Sequence, residues 1–155
     1  MSTKLSYEQG PKILVSVILK DGVIQNVDLS PSGKFTVQAN ENSPEIYEWC
    51  QSYASRQQPA AKLLLNLDGL TDFRKQVLCQ MGLIPFGHYQ TYKELAKSCG
   101  CERGSRAIGQ ACGANPFPLF IPCHRILAAG GSLGGFSQGL EIKKRLLEFE
   151  NISYL

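Results

Sequence analysis

Ile13, Val15, Val17 and Leu19 alternate with other residues up to Lys20, Asp21-Gly22 interrupts, and Val23, Gln25, Val27 and Leu29 resume the period of two. Two alternating runs around an Asp-Gly pair predict a β-hairpin. Ser43 followed by Pro44 opens a helix, with Ile46, Trp49, Cys50 and Tyr53 at i, i+3, i+4 and i+7. The first part of the chain therefore reads as a small antiparallel sheet with one packed helix. Lys62 to Leu67 is expected to add a strand, and Asp68-Gly69 marks the expected boundary. The domains predicted are residues 1–70 and 71–155.

Beyond that boundary the period becomes helical. Thr71 is placed to cap a helix carrying Phe73, Val77, Leu78 and Met81 on one face, and Pro85-Phe86-Gly87 is expected to end it. Thr91 and Glu94 have capping-box spacing and open a short helix over Tyr92 to Lys97. A second helix is expected to start near Gly104-Ser105 and run to Gly113. Two short helices joined by a Gly-containing turn suggest a helix-turn-helix, although many non-binding helical hairpins share the spacing. From Gly139 a last helix places Ile142, Leu146 and Phe149 on one side. The fold class predicted is α+β.

Composition narrows the reading. The chain has 155 residues, 43% hydrophobic and 19% charged, which suits a globular fold rather than a disordered one. It contains no apolar run of about 18 residues to span a membrane. The N-terminal Met1-Ser2-Thr3-Lys4 does not resemble a secretory signal, so a cytoplasmic location is expected. Six cysteines without an export signal read as reduced thiols rather than a disulfide framework. Cys99-x-Cys101 lacks a second pair of ligands at zinc-finger spacing. The net charge of +3 is unevenly distributed, −1 over residues 1–70 and +4 over 71–155, so a polyanion would meet the second half. A solvated basic face is the plainer explanation of the same asymmetry.

Pro122-Cys123-His124-Arg125 carries the candidate chemistry. A thiol becomes nucleophilic when a neighbouring base or positive charge favours its thiolate, and both kinds of group follow Cys123 directly. In an extended strand Cys123 and His124 would point to opposite faces, so they can cooperate only through a bend, which Pro122 permits, or through water. A buried structural cysteine beside a hydrogen-bonded histidine satisfies the same four residues.

The wider stretch Asn115-Pro116-Phe117-Pro118-Leu119-Phe120-Ile121-Pro122-Cys123-His124-Arg125-Ile126 resembles the active-site signature of the methylated-DNA-protein-cysteine methyltransferases, which repair O6-alkylguanine in DNA. The resemblance extends to Ile84-Pro85-Phe86-Gly87, Thr91-Tyr92-Lys93-Glu94-Leu95-Ala96, Ser105-Arg106-Ala107-Ile108-Gly109 and Gly134-Gly135-Phe136-Ser137. It covers Asp72 to about Glu150, whereas the first 70 residues match only in general character. The family implies an N-terminal sheet domain of ribonuclease-H-like shape and a helical C-terminal domain holding the helix-turn-helix and the cysteine.

For function, the resemblance implies one transfer of a methyl or other alkyl group from O6-alkylguanine, with O4-alkylthymine as an alternative lesion, in double-stranded DNA to Cys123. The lesion would first be flipped out from the minor groove. His124 resembles the base that acts on the thiol through water, Glu150 in the final helix the carboxylate that orients it, and Tyr92 the phenol that protonates the leaving purine. Asn115 matches the hinge of the Asn-Pro turn. Arg106 matches the residue that enters the base stack, and a cation in the first turn of a helix opposes the dipole, which itself favours an anionic partner. Arg103, Ser105, Ala107 and Arg125 complete the expected DNA contacts, and Pro118, Gly134, Phe136 and Ser137 the pocket.

The chain departs from the family at several positions. Phe136 stands where many members have Tyr, Leu78 replaces a commonly aromatic residue, and Gly113 stands where some members carry a basic residue; each bears on DNA affinity. Some members bind zinc in the N-terminal domain, but here that region offers Cys50 and no His, so no metal or other cofactor is expected, and the protein is expected to be a monomer. Three other functions fit parts of the sequence: a binding protein for alkylated bases, which Cys123 argues against; a DNA-binding regulator, in which Cys123 would not react; and a thiol hydrolase, for which no oxyanion site can be named.

Overall fold

A computed structural model of the chain describes residues 2–101 and 104–155. They fall into two compact units, Met1–Asn66 and Leu67–Leu155. Among the described residues no helix is long and apolar enough to cross a membrane.

The first unit contains β1 (Thr3–Tyr7), β2 (Ile13–Lys20), β3 (Val23–Pro31), β4 (Phe35–Ala39) and α1 (Pro44–Ala54). β2 and β3 form the expected hairpin, and Asp21 and Gly22 both take positive φ, 52° and 81°, as the tight turn requires. Glu41 accepts from both of their amides, at 3.1 and 2.9 Å. Ile13, Val15, Val17 and Leu19 are buried as the alternation demands. α1 is capped by Ser43 and turns Ile46, Trp49, Cys50 and Tyr53 inward.

Two expectations for this unit need correction. The sheet is mixed, in the order β1-β4-β2-β3, because β4 pairs antiparallel with β1 but parallel with β2. Sequence period reports which face of a strand is buried and is blind to the direction of its partner. The strand expected over Lys62 to Leu67 is reduced to a single bridge between Ile24 and Leu65, held by Ile24 N–H to Leu64 O (2.8 Å) and Asn66 N–H to Ile24 O (2.9 Å). Leu64 is exposed and Leu63 and Leu65 only half-buried, so little apolar burial drives a longer ladder.

The second unit contains α2 (Asp72–Gly82), β5 (Gln90–Thr91), α3 (Tyr92–Ser98), α4 (Ser105–Gly113), β6 (Ile126–Leu127) and α5 (Leu140–Phe149). Thr71 caps α2, and the Thr91–Glu94 capping box opens α3 with reciprocal bonds of 3.1 and 3.2 Å. α2 stops at Gly82, ahead of the Pro85-Phe86-Gly87 expected to end it. α2, α3 and α4 pack against one another over Val77, Leu78, Met81, Leu95, Ala96, Ile108, Ala111 and Cys112. β5 and β6 pair in parallel, Gln90 with Ile126 and Thr91 with Leu127. That short ladder sets the start of α3 beside the segment that follows Cys123.

Candidate active site

The nucleophile segment is built from three local devices. Asn115 Oδ1 accepts from Phe117 N–H at 2.9 Å and its Nδ2 donates to Ile121 O at 3.0 Å, closing the loop from below. Leu119, fully buried, takes a positive φ of 75°, a conformation that a non-glycine residue holds only when its surroundings impose it. Pro122, with φ −80° and ψ 65°, then forms an inverse γ-turn in which Cys123 N–H donates to Ile121 O at 2.8 Å. The chain therefore bends into a 3-10 turn over Cys123–Arg125 rather than running as a strand, so Cys123 and His124 are not held to opposite faces by an extended backbone.

Cys123 is buried, and its sulfur lies on the wall of a cavity of about 150 Å³ lined by Tyr92, Gly109, Cys112, Gly113, Cys123, Gly135, Phe136 and Ser137. Burial pushes its thiol up to about 11, while hydrogen bonds from Asn115, the charge of Lys143, and the N–H groups of Cys123 and His124 pull the other way. At neutral pH the resting group is therefore a thiol.

His124 is fully buried, its Nε2 stands 2.6 Å from Glu150 Oε2, and Glu150 Oε1 accepts from Arg125 Nε at 2.7 Å. Burial alone would raise the Glu150 carboxyl, but His124 and Arg125 together hold it at about 2. Burial lowers His124 against the opposing pull of Glu150. With Arg125 already balancing the carboxylate, a second buried cation would be unbalanced, and the imidazole stays neutral. Its Nε2 then carries the proton, and Nδ1, buried and without a hydrogen-bond partner among the described residues, keeps its lone pair.

Tyr92, the first residue of α3, faces the same cavity, and burial and the nearby thiols raise its phenol above the ordinary value. A backbone hydrogen bond from Gly135 offsets part of this. Cys123, Tyr92 and the His124–Glu150 pair thus come from one compact unit. Residues 72–152, about half of the chain, match the family model of the 6-O-methylguanine DNA methyltransferase DNA-binding domain.

The chain belongs to this family.

A methylated-DNA–protein-cysteine methyltransferase of Methanosarcina barkeri is 42% identical over 100 residues, covering 64% of this chain and 63% of that protein. A protein of the same name from Sulfolobus acidocaldarius is 45% identical over 84 residues, covering 54% and 52%. The chain thus spans about half to just under two-thirds of the curated relatives it matches. Among solved structures, that of Mycobacterium tuberculosis OGT in complex with DNA superposes with a TM-score of 0.72 at 27% identity, covering 88% of this chain and 92% of that one.

Against the family signature, the structure brings together Cys123, His124, Glu150, Tyr92 and Asn115. Glu150 stands just after α5 as its cap rather than within the helix. Phe136 and Ser137 line the cavity; Pro118 and Gly134 are not among its lining residues. Pro118 is buried in the loop as a bridge partner of Ile121, and Gly134 packs so closely that a Cβ there would stand 3.2 Å from the Tyr92 ring.

Ser105, Arg106 and Ala107 are exposed at the start of α4. Arg103 lies outside the described residues. Arg125, expected to contact DNA, is instead buried: besides Glu150 its Nη1 donates to Ile84 O at 2.7 Å, and its guanidinium lies 5.9 Å from the Phe86 ring centre. A cation two residues after Cys123 looks like a phosphate contact until its carboxylate partner arrives from the cap of α5. The sequence reading also missed Gly109, Cys112 and Gly135 on the cavity wall, and the buried Lys143. Among the described residues no group of three or more His, Cys, Asp or Glu side chains is placed to hold a metal ion.

Proposed function

We propose that the protein repairs DNA by taking the alkyl group of O6-alkylguanine onto Cys123, once per chain. The observation that carries this reading is that Cys123 and Tyr92 line one cavity, with the buried His124–Glu150 pair starting at the next residue of the chain.

The chemistry runs in one displacement. His124 Nδ1 takes the Cys123 proton through a bridging water, and Glu150 stabilises the imidazolium that forms. The sulfur attacks the alkyl carbon, the carbon–sulfur bond forms, and the carbon–O6 bond breaks with its electron pair passing to the purine. Tyr92, kept protonated by its raised phenol, donates a proton to the leaving guanine, and the Gly135 N–H steadies the resulting phenolate. A thioether offers no comparable leaving group, so nothing in the site restores the thiol.

Access requires the lesion to leave the helix, because a stacked base cannot reach a buried sulfur. α4 supports this step. Arg106, Gly109 and Gly113 fall at i, i+3 and i+7, one face of the helix, and the two glycines line the cavity. Exposed Arg106 therefore sits one turn from the cavity mouth, where it fills the gap left in the stack, while small Ser105 and Ala107 let the backbone approach the DNA. Phe136 supplies an apolar wall for the extruded base.

Intact-mass measurement after incubation with an O6-methylguanine duplex, followed by peptide mapping, tests the reading. Uptake should plateau at one methyl per chain, on Cys123. Repeated turnover, or label on Cys112 or Cys79, would refute it.

A further inference from the structure

Lys143 is used neither by the proton relay nor by the DNA-facing helix. It lies on the buried stripe of α5 beside Ile142, Leu146 and Leu147, and its side chain is fully buried. Nζ donates to Ile126 O at 2.7 Å, Leu133 O at 2.5 Å and Gly135 O at 3.1 Å. These use all three protons of an ammonium. Among the described residues no carboxylate pairs with it; the titratable groups that feel its charge are the thiols of Cys123 and Cys112 and the His124 imidazole. Burial pushes Lys143 down to about 8.

A buried cation held by carbonyl dipoles alone is expensive, and an apolar residue would fill this stripe without the expense. The three carbonyls indicate what the cation does. Ile126 follows the 3-10 turn that carries Cys123. Leu133 and Gly135 belong to the loop that lines the cavity with Gly135, Phe136 and Ser137 and that hydrogen-bonds Tyr92. Among the described residues no other hydrogen bond joins that loop to Ile126.

We propose that Lys143 is a positioning residue for alkyl transfer: its ammonium ties the 133–137 cavity wall to the strand after the nucleophile, and it holds a positive charge near the sulfur as negative charge develops there. The inference rests on the alkyl-transfer reading above. The tie sets the spacing between Cys123 and Tyr92, and the charge favours the thiolate over the thiol.

The test compares the full-length wild-type chain with Lys143→Gln, which keeps donors but no charge, and Lys143→Met, which keeps neither. Single-turnover methyl transfer from an O6-methylguanine duplex and from free O6-methylguanine is measured, together with the pH profile of Cys123 alkylation by iodoacetamide, mapped by peptide. In variants that melt cooperatively, Lys143→Met should transfer at least tenfold more slowly on both substrates, Lys143→Gln should recover part of that loss, and the Cys123 profile should move to higher pH in both. Folded variants that lose only thermal stability, with rate and profile unchanged, would overturn the proposal. If neither variant folds, amide exchange in the wild-type chain decides. Protection at Gly135 and Gly139, relative to amides inside α5, should fall as pH rises through about 8, and constant relative protection would overturn the proposal. Failure of the wild-type chain to transfer methyl at all would overturn the alkyl-transfer reading and this inference together, whereas wild-type transfer with unaffected variants removes this inference alone.

Discussion

Glu150 Oε2 stands 2.6 Å from His124 Nε2, and neither side chain has any exposed surface. A carboxylate can only accept, so the contact places the imidazole proton on Nε2 and leaves Nδ1 as the basic atom. The other Glu150 oxygen is held by Arg125 at 2.7 Å and by Gly87 N–H at 3.3 Å, which locks the orientation of the whole relay.

Replacing Glu150 by Gln should therefore do two separable things. It leaves the Arg125 guanidinium buried without its counter-charge, and breaking such a pair costs about 3–5 kcal/mol, visible as a lower urea midpoint. It also removes the charge that stabilises the His124 imidazolium, so single-turnover transfer by the folded fraction at neutral pH should fall at least tenfold, with DNA affinity changed little. An unchanged rate would mean that His124 does not act through Glu150.

Acid should weaken the fold in two stages. His124 is held below its ordinary 6.5, so the folded chain binds fewer protons than the unfolded chain just below that pH. The stability this confers is present above 6.5 and is lost as pH falls toward the depressed value. Glu150 is held at about 2 against an ordinary 4.5, so its contribution is present above 4.5 and is lost as pH falls through about 2. Urea midpoints from pH 8 to pH 3 should show the first stage in the wild-type chain and not in His124→Gln. Equal slopes in both would show that folding does not depress the His124 imidazole.

Asn115→Ala should couple stability to reactivity. The change leaves the buried Phe117 N–H without its acceptor, costing about 1–3 kcal/mol. It also removes a hydrogen bond that lowers the Cys123 thiol, so Cys123 should require higher pH to react with iodoacetamide. Loss of stability with an unmoved reactivity profile would confine Asn115 to holding the turn.

Arg106→Ala separates phosphate binding from support of the flipped state. If Arg106 only paired with a phosphate, the salt slope of binding would drop by about one and saturating DNA would restore the rate. If it props open the stack, as proposed, saturating DNA cannot restore it, because the extrahelical base itself loses a few kcal/mol of support. Transfer from duplex DNA should then slow far more than transfer from free O6-methylguanine, and less when the lesion faces a mismatch. Equal slowing on both substrates would assign Arg106 to the pocket or the fold.

Local signals account for what the sequence by itself determined. The Asp21-Gly22 hairpin, the Ser43 cap, the Thr91–Glu94 capping box and the two helices before Asn115 depend on residues a few positions apart, where period and capping chemistry act. The Asn115-to-Ile126 stretch and the motifs on either side of it carried the family resemblance for the same reason.

Tertiary structure decided everything that needed a partner distant in the chain. The parallel β2–β4 pairing made the expected antiparallel sheet a mixed one, and Ile24 forms one bridge with Leu65 rather than pairing with a strand from Lys62 to Leu67. Arg125 reads locally as a cation free to meet phosphate; only Glu150, 25 residues later, and Ile84 O, 41 residues earlier, make it internal. Lys143 likewise acquires its role from carbonyls on other segments. Desolvation drives these choices, since a charge withdrawn from water must find its acceptors wherever the fold delivers them, and no local pattern records where that is.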